Sequence, residues 1–92
     1  MILWRGRFIF NSKDDANVYS YYLKQKGIMN EIDEYMVFIY HEISDVDDLV
    51  YYAKSKAKEI TDFAESLGGS GKIEAIQMTT IYNFSTNGDK NV

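Results

Sequence analysis

The run from Tyr35 to Leu67 constrains this chain most: a strongly apolar strand leads directly into a long amphipathic helix. Apolar side chains recur at Leu49, Val50, Ala53, Ala57, Ile60, Ala64 and Leu67, the spacing of one helical face, so this helix has one side to bury. Ser44 followed by Asp47 fits the S-x-x-D start signal, and Asp45, Asp47 and Asp48 sit where carboxylates meet the positive end of the helix dipole. Gly68 and Gly69 supply a left-handed stop, which predicts helix over 45–67. Ahead of it, Met36 to Tyr40 is apolar in both strand phases, as a central strand is.

The rest of the chain alternates in kind. Residues 2–10 place Ile2, Trp4, Phe8 and Phe10 on one strand face and Leu3, Arg5, Arg7 and Ile9 on the other. Ser12 with Asp15 repeats the helix-start signal, and Ala16, Tyr19 and Leu23 mark a second, shorter stripe that ends at Gly27. Residues 28–33 are expected to form a short strand turning back into the one at Tyr35. After the glycine-rich connector at 68–71, Lys72 to Phe84 reads as one last strand, whose apolar phase changes between Ala75 and Ile76 and so suggests a bulge. This gives a single domain over 1–84 and a polar, fraying tail over 85–92.

A weak internal repeat relates the two halves: Phe8-Ile9-Phe10, Ser12 and Asp14-Asp15 run parallel to Phe38-Ile39-Tyr40, Ser44 and Asp47-Asp48. Two β-α-β units predict an α+β fold, the ferredoxin-like β-α-β-β-α-β arrangement, with four antiparallel strands and both helices on one face. The rival is a three-stranded version without the second strand. If the helices cover Trp4, Phe8, Phe10, Phe38 and Tyr40, the open face carries Leu3, Ile9, Val37 and Ile39 among Arg5, Arg7 and His41. Such a face is too apolar to be left wet, and a homodimer through those four apolar residues is the expected use.

Composition closes several routes. Ninety-two residues hold one small core, and the absence of cysteine rules out disulfides and thiolate metal sites. Neither a signal-like apolar run nor a membrane-spanning stretch occurs, so a cytoplasmic setting is expected. Catalysis has little to stand on: His41 is the lone histidine, beside Glu42, with no nucleophile motif nearby. Asp45-Val46-Asp47-Asp48 lacks the glycine and distal glutamate of a calcium loop, and Gly68-Gly69-Ser70-Gly71-Lys72 follows a helix where a phosphate loop must precede one. No catalytic residue, metal or cofactor is therefore expected. Asn83-Phe84-Ser85 matches a glycosylation acceptor, which means little without secretion.

A net charge of −4 disfavours binding to nucleic acid directly. Aromatic strands invite comparison with single-strand RNA readers, but rings turned inward and the absence of a basic, glycine-rich RNP pattern argue against it. The acidic side chains Asp14, Asp15, Asp47, Asp48, Glu59, Asp62 and Glu65 have two readings. One is a solvated face with i,i+4 pairing such as Lys58 to Asp62. The other is imitation of phosphates, since carboxylates on successive turns about 5.4 Å apart approach phosphate spacing.

The text RGRFIFNSKDDANVYSYYLKQKG, in an acidic, cysteine-free chain of this length, resembles the anti-restriction nuclease (Arn) proteins of T-even-type phages, small dimeric DNA mimics. The resemblance implies a dimer that inhibits a host DNA-binding protein in the host cytoplasm, either the modification-dependent restriction nuclease McrBC or a histone-like nucleoid protein. It rests on length, charge and style, and carries no site residue over by motif. The alternative is a dimeric interaction adaptor working through the apolar sheet face, followed by a small RNA- or ligand-binding module.

Overall fold

The computed structural model describes residues 1–43 and 49–86, with the side chains of the second helix described from Lys54 onward. In chain order the elements are β1 (Ile2–Ile9), α1 (Lys13–Gln25), β2 (Asn30–Asp33), β3 (Met36–Ile43), α2 (Leu49–Ser66), β4 (Ser70–Gln77) and β5 (Thr80–Ser85). The strands form one antiparallel sheet in the order β2-β3-β1-β4-β5, an α+β architecture.

The helix signals act where the sequence places them. Ser12 Oγ accepts the Asp15 backbone N–H at 3.1 Å and opens α1. The expected start of α2 at Ser44 to Asp48 lies outside the described residues. Both helices stop alike: Gly27 and Gly68, at φ 75° and 79°, turn the chain left-handed, and the following N–H groups of Ile28 and Gly69 donate to the Leu23 and Ala64 carbonyls at 2.9 and 2.8 Å.

Tyr19 is the centre of the core. It is fully buried, with its ring 5.4 Å from Phe8, 5.2 Å from Phe10 and 6.2 Å from Phe63 of α2, so both helices share one face of the sheet. Ile2 and Trp4 from β1, Ala16 and Leu23 from α1, Ala57, Ile60 and Ala64 from α2, and Ile73 and Ala75 from β4 complete the interior.

Three expectations are corrected. The stretch 72–84 is not one bulged strand but the hairpin β4–β5, turning at Met78-Thr79, with Gln77 paired to Thr80. The alternation does not break at Ala75–Ile76: Ala75 stays on the core side opposite Trp4, and Ile76 is an apolar residue of the outer side opposite Leu3. Ser85 and Thr86, assigned to the tail, belong to the fold: Ser85 pairs with Lys72, and buried Thr86 donates its N–H to the Gly71 carbonyl at 3.0 Å. The rest of that tail, 87–92, lies outside the described residues.

The third correction is the phase of β3. Val37 and Ile39 lie in the core, 0% and 1% exposed, while Phe38 and Tyr40 point away from the helices. Register decides this: Val37 stands opposite Phe8 and Ile39 opposite Gly6, whereas Phe38 faces Arg7 and Tyr40 faces Arg5. The helix-side space is already filled by Trp4, Phe8, Phe10 and Tyr19, so the narrower β-branched side chains fit there and the rings do not. Val37 and Ile39 therefore cannot form a dimer interface.

Candidate protein-interaction surface

Alternation along paired strands defines the uncovered face. Directly opposed residues share a side, so β1 contributes Leu3, Arg5, Arg7 and Ile9, and β3 contributes Met36, Phe38, Tyr40 and Glu42. From β4 come Lys72, Glu74 and Ile76, from β5 Ile81 and Asn83, and from the β2 edge Glu31 and Asp33. Of the expected dimer residues, Leu3 and Ile9 are on this face, half-buried and exposed respectively. Phe38 and Tyr40, at 36% and 66% exposure, take the place assigned to Val37 and Ile39. One signal was available for this: Glu42 shares its phase with Phe38 and Tyr40, and Ile43 shares the phase of Val37 and Ile39.

Arg5 and Arg7 form a ridge along the middle of the face. On one side is a shallow groove of about 740 Å³ lined by Arg7, Ile9, Lys72, Glu74 and Asn83. On the other is one of about 650 Å³ lined by Met29, Glu31, Phe38 and Tyr40. The charges are mixed, with Arg5, Arg7 and Lys72 set among Glu31, Asp33, Glu42 and Glu74. Arg5 spends part of its charge locally, on Glu74 at 3.3 Å.

The acidic positions lie elsewhere, on the helices. Asp14 is exposed and Asp15 half-buried in the first turn of α1. Glu59 is held by two lysines, Lys26 at 2.8 Å and Lys56 at 3.4 Å, and the Lys26 hydrogen bond is the main reason its carboxyl sits below the usual range. Asp62 binds Lys58 at 2.7 Å, which raises the lysine's affinity for its proton. Glu65 is half-buried on α2. Asp47 and Asp48 lie outside the described residues. The helical carboxylates are thus not an unbroken negative row, since Glu59 and Asp62 are matched by lysines.

His41 is half-buried on β3. Its Nδ1 accepts the Met29 N–H at 3.4 Å, and burial lowers its affinity for a second proton. Among the described residues no cluster of three or more potential metal ligands occurs, and no helix is long and apolar enough to cross a membrane.

The fold and surface define a small open-faced α+β protein, with one sheet face under two helices and the other exposing rings and mixed charge. No family model, curated protein or solved structure matches the chain.

Proposed function

We propose that this protein works by binding rather than by catalysis, as an interaction module that pairs with a second copy of itself through the uncovered sheet face. The strand order β2-β3-β1-β4 reads as a ferredoxin-like core with β5 added at one edge. The observation that carries the proposal is the outward pair Phe38 and Tyr40, opposite Arg7 and Arg5 on a face no helix covers.

Area and charge both suit a second copy. Five strands about 4.8 Å apart and about 26 Å long make a face of up to roughly 600 Å², so a pair would bury up to roughly 1,200 Å², the lower end of stable interfaces. Aromatic and arginine side chains are the usual anchors of such contacts. Carrying both signs, the face can set the cations of one copy against the carboxylates of the other. Sedimentation velocity tests this: the native chain should run as a dimer, and Phe38→Asp or Ile9→Asp as a folded monomer whose thermal midpoint falls only by the stabilisation that pairing supplied. A native chain that stays monomeric at high concentration refutes the proposal.

A second reading, the phosphate mimic aimed at a host DNA-binding protein such as a restriction nuclease or nucleoid protein, is favoured by one observation. Asp14 and Asp15 stand together in the first turn of α1 without an ion-pair partner among the described residues. The lysines on Glu59 and Asp62 weigh against it. A mimic's affinity should fall steeply with salt and be competed by duplex DNA. Reversing Asp14, Asp15 and Glu65 to lysine should then abolish capture, and capture that survives removes this reading.

A further inference from the structure

The strand registers arrange the uncovered face in rows that run across the sheet. One row reads Glu31 on β2, Phe38 on β3, Arg7 on β1 and Lys72 on β4, so it is graded from a carboxylate through a ring to two cations. On one flank of this row Tyr40 stands next to Arg5, and on the other Met36 stands next to Ile9. Glu31, Arg7 and Lys72 are exposed and make no ion pair among the described residues, whereas Arg5 has Glu74 at 3.3 Å. A row of this kind is complementary to itself read backwards.

We infer that the two copies meet about a two-fold axis parallel to the strands and midway between β3 and β1, a geometry that rests on the sheet-face pairing proposed above. Rotation about that axis keeps each row level and reverses its order, exchanging β2 with β4 and β3 with β1. Glu31 of one copy then faces Lys72 of the other, Phe38 faces Arg7, Tyr40 faces Arg5 and Met36 faces Ile9, and each contact occurs twice, as a two-fold requires. A guanidinium over an aromatic ring is a favourable stack, and opposite charges meet at both margins. Shape agrees with charge: the Arg5–Arg7 ridge of each copy enters the other's groove of about 650 Å³, lined by Met29, Glu31, Phe38 and Tyr40.

Other axes do worse. A two-fold across the strands stacks each strand on its own equivalent, so arginines meet arginines on β1 and Glu31 and Asp33 meet carboxylates on β2, and such juxtapositions repel. An axis along β1 again sets arginine on arginine. One along β3 brings only three strands into contact, against four for the axis between β3 and β1. Those four bury up to roughly 1,000 Å² in the pair, about the least that a specific interface needs. Packed sheets lie within about 30° of parallel, which displaces the marginal Glu31–Lys72 pairs by only a few ångströms, within reach of two long side chains.

Charge exchange tests this geometry in the full chain, by sedimentation equilibrium at low ionic strength. Glu31→Lys sets a lysine against Lys72, and Lys72→Glu sets a glutamate against Glu31, twice in each homodimer. Each single variant is expected to pair about tenfold more weakly than the native chain. The double variant, and an equimolar mixture of the two single variants, should return to near-native affinity, because position 31 again meets an opposite charge at position 72. Both side chains are exposed, and circular dichroism checks that each variant is folded. A monomeric native chain removes the sheet-face pairing and this geometry together. A native dimer that either single change leaves untouched, or weakened variants that the double variant and the mixture do not restore, overturns the geometry alone and leaves the pairing in place.

Discussion

The Tyr19 hydroxyl donates to the Ile60 backbone carbonyl at 2.9 Å, a buried bond that ties α1 to α2 over the centre of the sheet. Burial raises the phenol's pKa far beyond its ordinary value of 10.0, so it stays a neutral donor at any working pH. The ring fills space between Phe8, Phe10 and Phe63, so its packing and its hydrogen bond can be removed separately.

Tyr19→Phe removes the bond alone and is expected to cost about 0.5–1.5 kcal/mol, whereas Tyr19→Ala, which also opens a cavity, should cost about 3–5 kcal/mol. Urea denaturation of the three chains measures both. A phenylalanine variant as stable as the native protein would show that the bond contributes nothing net.

Val37 and Phe38 are chain neighbours on opposite faces, which makes them a test of the β3 phase. Val37→Asp puts an unpaired carboxylate into a fully buried position and is expected to unfold the protein or lower its stability by several kcal/mol. Phe38→Asp should keep the chain folded, its thermal midpoint falling only by the loss of pairing with a second copy. The reverse pattern in thermal melts would restore Val37 to the open face.

Both hairpin turns hold an ordinary L-residue in the left-handed region, Glu34 at φ 54° and Met78 at φ 55°. That conformation costs roughly 1–2 kcal/mol outside glycine, and glycine gives back about 0.5–1 kcal/mol in the unfolded chain. Glu34→Gly and Met78→Gly are each expected to stabilise the fold by about 0.5–1 kcal/mol on these terms, read as a higher denaturation midpoint. Destabilisation would mean that these side chains contribute contacts worth more than the strain.

Burial holds the His41 imidazole below its ordinary value of 6.5. Below that pH the unfolded chain takes up a proton that the folded chain resists, so the stability associated with the neutral ring is complete above 6.5 and is lost as pH falls through the lower folded value. His41→Gln should flatten the pH dependence of the denaturation midpoint below the ordinary value of 6.5. An unaltered slope would assign that dependence to other groups.

The sequence by itself determined the parts whose physics is local. Helix α1 follows from the Ser12 cap, the stripe at Ala16, Tyr19 and Leu23, and the glycine stop, all decided within a few residues of each other. The face of β1 was equally legible, because arginines alternate with aromatics and only one set can be buried. The β4–β5 turn was not legible: Met78-Thr79 has no glycine, asparagine or proline, and surrounding strand pairing imposes a conformation the residues do not prefer. The phase of β3 was marked only at its end, by Glu42 and Ile43, because from Val37 to Tyr40 both faces are hydrocarbon. Only the three-dimensional packing decided it, because the space between sheet and helices, already occupied by Trp4, Phe8 and Tyr19, admits Val37 and Ile39 and turns Phe38 and Tyr40 outward.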